Sequence, residues 1–200
     1  MSGQQVLTLK GHSSAVFSVA WSPKGDQLAS ASRDNTFIIW DVTSGAKVSE
    51  LKGHTNWVMS VAWSPKGNQL ASGSSDNTVI IWDAASGQQL WTLKGHNGEV
   101  TSVTWSPGNQ LASASADQTV VIWNVASCEQ VAQLTGHTGP INSISWGQGN
   151  QLSSESADQT VVVWNITSRE QDSTLTGHTG PVNSVSWGQG NQLASALDDK

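Results

Sequence analysis

Three kinds of side chain that could together perform nucleophilic chemistry recur at fixed positions along this chain of 200 residues. Every histidine follows a glycine, and an aspartate follows each histidine 21 or 22 residues later. A serine stands four residues before each of these aspartates. The histidines are His12, His54, His96, His137 and His178; the aspartates are Asp34, Asp76, Asp117, Asp158 and Asp199; the serines are Ser30, Ser72, Ser113, Ser154 and Ser195. These are the residue types of a hydrolase triad.

The repetition of the set argues against catalysis by it. A triad needs one nucleophile at one site, whereas here the same residue types occur in every unit. The pattern favours a structural role, in which polar side chains satisfy one another's hydrogen bonds. An enzyme would need clustered titratable residues that do not repeat, and the sequence offers only Arg33, Glu99 and Asp198 on separate units. We therefore predict that the chain is not an enzyme.

Metal and cofactor sites are not predicted either. The histidines stand about 40 residues apart, and Cys128 has no partner at a ligand spacing. The pair Gly147 and Gly149 lies in a turn that no predicted helix follows, so it does not match a phosphate-binding loop. We expect no metal and no cofactor.

The elements that must position these side chains are short strands in a repeat. Successive glycine–histidine pairs are separated by 42, 42, 41 and 41 residues. In the first unit, the alternating and β-branched runs 16–21, 27–32 and 36–40 predict three strands joined by turns. A fourth strand is predicted at the end of each unit, and the same pattern at residues 4–10 predicts a strand before the first unit. Near the end of each of the first four units stands a second dipeptide: Trp40-Asp41, Trp82-Asp83, Trp123-Asn124 or Trp164-Asn165.

A period of about 40–45 residues with these two dipeptides resembles the WD-repeat β-propeller family. The resemblance covers nearly the whole chain and implies an all-β fold of four-stranded antiparallel blades. It also implies one structural network in each blade, which runs from tryptophan to serine to histidine to aspartate. The tryptophans are Trp40, Trp82, Trp123 and Trp164. The choice of network serine stays open in the first unit, because Ser32 shares a strand face with Ser30.

The number of units predicts an incomplete ring of four full blades and a partial fifth. The predicted divisions of the single domain 1–200 are an outer strand at 1–10, repeats at 11–52, 53–94, 95–135 and 136–176, and a partial repeat at 177–200. The fifth unit lacks the equivalent of the third strand. Three alternatives follow: a fragment of a longer protein, a module that completes its ring by self-association, or a closed five-bladed ring with one defective blade.

Residues that differ between units are where specific function is expected. Of eleven tryptophans, nine occupy two repeated positions and are predicted to be core. Trp57 and Trp91 do not repeat. In the WD-repeat family, partners often bind residues on the top rim around the central channel. Transferred to this chain, the rim positions are Ala15, Phe17, Arg33, Trp57, Met59, Ser75, Glu99, Thr101, Ala116, Pro140, Asn142, Ala157, Pro181, Asn183 and Asp198.

Two carboxylates are predicted to act against the fold. Glu155 stands where the other units have alanine or glycine, and Asp172 stands where they have valine or leucine. If these positions face a neighbouring blade, an unpaired charge there is costly. Unit four also has Arg169, and unit three Cys128, at a turn where the first two units have glycine.

Composition narrows the class of partner. The net charge is −6, all of it in residues 101–200, which argues against non-specific nucleic-acid binding. No apolar run reaches membrane-spanning length, no signal peptide is recognised, and the single cysteine suits a reducing compartment. We expect a cytoplasmic, non-catalytic scaffold that binds a protein or peptide on its top rim. The alternatives are a homo-oligomeric repeat module and a regulatory array from a larger signalling protein.

Overall fold

The computed structural model describes residues 7–188 and 192–197, and every regular element in those ranges is a β-strand. The strands form four antiparallel sheets of four strands and one sheet of two. Blade 1 comprises β1 (Val16–Trp21), β2 (Gln27–Ser32), β3 (Thr36–Asp41) and β4 (Lys47–Lys52). Blade 2 comprises β5 (Val58–Trp63), β6 (Gln69–Ser74), β7 (Thr78–Asp83) and β8 (Gln89–Lys94).

The remaining strands continue the pattern. Blade 3 comprises β9 (Val100–Trp105), β10 (Leu111–Ser115), β11 (Thr119–Asn124) and β12 (Glu129–Thr135). Blade 4 comprises β13 (Ile141–Trp146), β14 (Gln151–Ser156), β15 (Val161–Asn165) and β16 (Glu170–Leu175). Blade 5 has only β17 (Val182–Trp187) and β18 (Leu193–Leu197) in the described ranges. The all-β class and the incomplete ring of four full blades and a partial fifth are confirmed.

The hydrophobic core lies between neighbouring blades rather than inside any one of them. Between blades 1 and 2, Phe37 and Leu51 of blade 1 pack in one cluster with Val58, Val61 and Trp63 of blade 2. Equivalent clusters join blades 2 and 3 and blades 3 and 4. The third strands of blades 1 and 2 are buried on both faces, which explains why they read as nearly continuous apolar runs.

Inner-strand tryptophans also connect the blades by hydrogen bonds. The Trp63 indole N–H donates to the carbonyl oxygen of Ala20 in the preceding blade at 3.1 Å. The same bond recurs from Trp105 to Ala62, from Trp146 to Thr104 and from Trp187 to Ser145, at 3.1–3.2 Å. The repeated tryptophan thus fills the space between two blades and sets their spacing, because its donor reaches one particular carbonyl.

One face of blade 1 is exposed to solvent, whereas the preceding blade covers the equivalent face of blades 2 to 4. Val19 and Trp21 are each 60% exposed, whereas the equivalent Val61 and Trp63 of blade 2 are 4% and 8% exposed. The expectation that Trp21 belongs to the core is therefore wrong, since no blade lies against it in the described structure. The open arc also disagrees with the alternative of a closed five-bladed ring.

The predicted strand at residues 4–10 is not found in the described ranges. Residues 1–6 lie outside the described part of the chain, and residues 7–10 have no strand assignment. Leu7 nevertheless packs beside Gly45 of blade 1, as Ser49 packs beside Gly87 of blade 2. Residues 7–10 therefore occupy the place that the outer strand of a preceding blade takes beside blade 2.

The turn before each outer strand explains the glycines of the first two units. Gly45 and Gly87 have φ values of 71° and 69°, and Cys128 and Arg169 take the same left-handed conformation with φ values of 59° and 63°. Residues with a Cβ atom adopt this region at a cost. The turn geometry is thus retained in blades 3 and 4 with local backbone strain.

The predicted penalty for Asp172 is wrong. Asp172 lies exposed on β16, whose residues are all exposed. Its equivalents Val48, Leu90 and Val131 are also exposed, so this position faces solvent in all four outer strands. A carboxylate there needs no partner.

Candidate functional site

The repeated polar side chains form one continuous hydrogen-bond chain in each of blades 1 to 4. In blade 2, the Trp82 indole N–H donates to Ser72 Oγ at 2.8 Å. Ser72 Oγ lies 2.8 Å from His54 Nε2, and His54 Nδ1 lies 2.9 Å from Asp76 Oδ2. An ionised carboxylate can only accept, so Nδ1–H donates to Asp76. In the imidazole tautomer with its proton on Nδ1, Nε2 accepts from the serine hydroxyl.

The other three blades have the same arrangement at nearly the same distances. The tryptophan–serine distances are 2.7–2.8 Å, the serine–histidine distances are 2.8 Å and the histidine–aspartate distances are 2.8–3.0 Å. The residues are Trp40, Ser30, His12 and Asp34 in blade 1; Trp123, Ser113, His96 and Asp117 in blade 3; and Trp164, Ser154, His137 and Asp158 in blade 4.

In blade 1, the contacts of the network are made by Ser30 and not by Ser32. Ser30 Oγ meets both Trp40 and His12, whereas Ser32 Oγ accepts from the backbone N–H of Asp34 and faces the carbonyl of Ser14. Both serines are buried. The buried Ser30 hydroxyl thus joins the third-strand Trp40 to His12 of the loop that enters the blade.

The turn aspartate has more partners than the sequence pattern suggested. Asp76 Oδ1 accepts from the Thr78 hydroxyl at 2.6 Å and Oδ2 accepts from the backbone N–H of Thr55 at 2.9 Å. Thr36, Thr119 and Thr160 make the same hydroxyl contact in the other blades. The threonine was missed, although its fixed place two residues after each of these aspartates was a signal that could have found it.

These contacts keep the aspartates ionised. Burial alone raises the pKa of Asp76, but hydrogen bonds from His54, Thr78 and the backbone of Thr55 outweigh it and hold the pKa well below its usual range. The pKa values of Asp34, Asp117 and Asp158 are lowered by the same balance. Each carboxylate ties the loop that enters the blade to the turn between the second and third strands.

The fifth unit has only part of this network in the described structure. His178 Nε2 lies 2.7 Å from Ser195 Oγ in an exposed position. Asp199, predicted to complete the set, lies outside the described residues, as do Asp198 and Lys200.

On the rim, three of the non-repeating side chains of blades 1 and 2 lie in contact. The rings of Phe17 and Trp57 are 6.1 Å apart, and the Arg33 guanidinium carbon lies 4.3 Å from the centre of the Trp57 ring. Backbone bonds position them, because the Arg33 N–H donates to the carbonyl of Ala15 and the Ser75 N–H donates to that of Trp57. We refer to Phe17, Arg33, Trp57 and the half-buried Met59 as the rim cluster.

The other rim positions differ in how freely they face solvent. Ala15, Glu99, Pro140, Pro181 and Asn183 are exposed, and Ala116 and Ala157 are half-buried. Thr101 donates to the carbonyl of Ile141 at 2.6 Å, and Asn142 donates to that of Val182 at 2.7 Å. These two side chains therefore join neighbouring blades. Ser75 is buried, and its hydroxyl has no hydrogen-bond partner among the described residues.

A buried carboxyl group lies between blades 4 and 5. Glu155 is 0% exposed, and neither of its carboxyl oxygens has a hydrogen-bond partner in the described ranges. Burial raises the pKa of Glu155 to about 8, against a weak opposing influence from Ser143, which lies opposite in the strand ladder. The equivalent Gly73 faces Val100 and Val103 of the next blade, so Glu155 occupies the face toward Val182 and Val185.

Two kinds of site are not found in the described ranges. No group of three or more histidine, cysteine, aspartate or glutamate side chains is arranged to hold a metal ion there. The same residues contain no helix that could cross a membrane.

Comparison with known proteins identifies the repeat. A family model described as "WD domain, G-beta repeat" matches residues 3–41, 45–83, 87–124, 128–165 and 169–200. The solved structure titled "Structure of U3-55K" superimposes with a TM-score of 0.85 at 31% identity, over 88% of this chain and 56% of that chain. "Crystal structure of RRP9 WD40 repeats" gives a TM-score of 0.85 at 32% identity, with the same coverage.

Curated relatives match over single repeats. Vegetative incompatibility protein HET-E-1 of Podospora anserina is 55% identical over 38 residues, which is 19% of this chain and 3% of that protein. Protein HIRA homolog of Drosophila melanogaster is 59% identical over 34 residues, or 17% of this chain and 3% of that protein. The chain therefore spans a small part of these relatives and about half of the solved chains.

Proposed function

Because this chain belongs to the WD40 repeat family, whose members generally act as protein-interaction scaffolds, we propose that it binds protein or peptide partners on the top rim of blades 1 and 2. The observation that supports this proposal is the rim cluster. Phe17 is 42% exposed and lies beside Trp57, and the Arg33 guanidinium carbon lies over the indole ring. Aromatic, methionine and arginine side chains are enriched among the residues that anchor interfaces.

The repeated network supports a scaffold role for the rest of each blade. It is present in blades 1 to 4, and its serines are buried, so it supplies rigidity rather than a substrate site. A rigid support lowers the entropy lost on binding, because the rim side chains are already held in place. The same proposal includes three expectations from the sequence: the protein is not an enzyme, it is cytoplasmic, and it does not bind nucleic acid.

The double variant Trp57→Ala with Met59→Ala should abolish capture of peptides from a displayed random library by the immobilised chain. Removing both side chains deletes the centre of the rim cluster, and loss of such an anchor weakens the Kd by roughly 30-fold or more. Trp91→Ala is the matched control, since Trp91 is also a solvent-accessible tryptophan but lies on the outer strand β8. Urea unfolding should show equal stability of all three proteins. If the double variant still captures the peptides that wild type captures, the rim proposal is wrong.

A second candidate function is self-association, and the uncovered face of blade 1 favours it. A groove on that face is lined by both apolar and polar side chains, and Val16, Val19 and Trp21 of β1 are 48–60% exposed beside it. Exposed apolar surface of this kind commonly marks an interaction site. Residues 1–100 carry no net charge, whereas residues 101–200 carry −6. The blade 1 ends of two copies can therefore approach without repulsion.

Light scattering after size exclusion tests this second candidate. Wild type should show a mass that rises above 21.1 kDa with concentration, and Trp21→Ala should remain at the monomer mass. Trp91→Ala again serves as control, because it removes an exposed tryptophan of similar area from another surface. A wild-type chain that stays monomeric at every concentration, or a Trp21→Ala variant that associates like wild type, would rule out association through this face.

A further inference from the structure

The Arg33 guanidinium has an unoccupied edge. Its guanidinium carbon lies over the Trp57 ring, 4.3 Å from the ring centre. Arg33 is exposed, and no carboxylate forms an ion pair with it among residues 7–188 and 192–197. A guanidinium that lies over an aromatic ring keeps N–H groups with which it can donate to a ligand. Those groups match the two oxygens of a carboxylate in a bidentate pair.

The carboxylate next to Arg33 in the chain is already engaged. Asp34 accepts from His12, the backbone of Ser13 and Thr36. These bonds keep Asp34 ionised and directed into its own turn. Arg33 is therefore held beside a negative charge without being paired by it, and an incoming ligand must supply the second group.

The single cation at the rim favours a ligand group with one negative charge over a group with two. Among the described rim positions Arg33 is the single cation, and Glu99 of blade 3 is an anion. The chain as a whole carries −6. A phosphate with a charge near −2 is usually bound by a cluster of arginines, which this rim does not provide. A carboxylate is neutralised by one guanidinium.

The other members of the rim cluster are apolar. Phe17 and Trp57 form a tilted aromatic pair, and Met59 lies half-buried at the neighbouring rim position of blade 2. Methionine adapts its shape to different apolar groups. A large apolar side chain next to the carboxylate would therefore be covered by this surface.

We infer that the rim cluster recognises a peptide segment in which an aspartate or glutamate stands next to a large apolar residue. The carboxylate pairs with the free edge of Arg33, and the apolar side chain packs on Phe17, Trp57 and Met59. This inference rests on the proposed rim function and specifies its ligand.

Four fluorescent heptapeptides that differ only at their centre test the ligand class. The central pairs are Leu-Glu, Leu-Gln, Ser-Glu and Leu-phosphoserine. By fluorescence anisotropy, wild type should bind Leu-Glu at least about 10-fold more tightly than Leu-Gln, the range of one charge-assisted hydrogen bond. The Ser-Glu peptide should also be weaker, because it lacks the apolar side chain.

Arg33→Gln should remove the preference for Leu-Glu over Leu-Gln and leave residual binding of both. Arg169→Gln is the matched control, since Arg169 is the other arginine of the chain and lies exposed in a turn of blade 4. It should retain the wild-type preference. Neither change should alter the urea midpoint, because both side chains are exposed.

The other outcomes separate this inference from the proposed function. Equal binding of Leu-Glu and Leu-Gln that still depends on Trp57 would overturn the acidic ligand and leave rim binding intact. Tighter binding of the phosphoserine peptide through Arg33 would replace the inference by phosphopeptide recognition. Failure of all four peptides would also overturn it, and the displayed random library then decides whether the rim binds peptides at all.

Discussion

Replacing Ser72 by alanine is expected to lower the free energy of unfolding by roughly 2–6 kcal/mol, because it leaves two buried groups without partners at about 1–3 kcal/mol each. Ser72 Oγ accepts from the Trp82 indole N–H and bonds to His54 Nε2, each at 2.8 Å. Ser72 is fully buried, as is almost all of Trp82. Blade 2 lies between two other blades, so the loss affects packing on both sides.

Ser195→Ala in blade 5 is the matched control. Ser195 bonds to His178 in an exposed position, and no tryptophan of the described structure donates to it. Water can replace the lost hydroxyl there, so the expected change is about a few tenths of a kcal/mol. Urea unfolding followed by tryptophan fluorescence measures both variants. Equal destabilisation by the two substitutions would show that the buried network does not carry the stability assigned to it.

Replacing Glu155 by alanine should raise the free energy of unfolding by about 3 kcal/mol at pH 7, because each pKa unit between the ordinary value and the working pH costs about 1.4 kcal/mol. Burial raises the pKa of Glu155 to about 8 from its ordinary value of 4.5. Folding at pH 7 therefore requires this side chain to take up a proton. Alanine occupies the same position in blades 1 and 3, so the smaller side chain suits the interface.

The pH dependence identifies the cause. The native state binds a proton that the unfolded state has released, so wild-type stability should fall as pH rises from about 4.5 to about 8 and change little above that. The stability of the Glu155→Ala variant should not fall in this way. The difference in free energy of unfolding between the variant and wild type should therefore grow from about pH 4.5 to about pH 8. The network aspartates have lowered pKa values and act at lower pH, so the difference between the two proteins isolates Glu155.

Two further variants separate charge from shape. Glu155→Gln cannot ionise but keeps an unpaired polar group, so it should remove the pH dependence and recover only part of the stability. Glu170→Ala, at an exposed position of the same blade, should change neither the stability at pH 7 nor its pH dependence. A stability difference between wild type and Glu155→Ala that is constant with pH would mean that the carboxyl group stays charged and hydrated in the folded protein.

The repeat made the blades predictable from sequence. Strands β1 and β2 begin and end at the residues that the alternating pattern indicated, because successive side chains of a strand point to opposite faces. The spacing also singled out one histidine, aspartate, serine and tryptophan in each of the first four units. These are the side chains that the structure links by hydrogen bonds. The threonine two residues after each aspartate was not predicted to join the network, because it was counted only as the first residue of the third strand.

The sequence predictions that were wrong all concern burial, which depends on whether a neighbouring blade covers the residue. Trp21 and Trp63 have the same local sequence, yet one is exposed and the other buried, because only Trp63 has a blade against it. Asp172 was taken to face a blade and faces solvent. Glu155 and Asp172 stood out equally in the repeat, but only Glu155 lies in an interface.

The sequence by itself determined the kind of structure: an all-β array of WD40 blades, with a network in each of the four full blades and an incomplete ring. These properties depend on local alternation and on a fixed period, which are both visible in one chain. The tertiary structure decided which faces are covered, which carboxyl is buried without a partner among the described residues, and that Arg33, Phe17 and Trp57 meet on the rim. Those properties depend on contacts between residues of different blades, and burial is set by the neighbouring surface rather than by the residue itself.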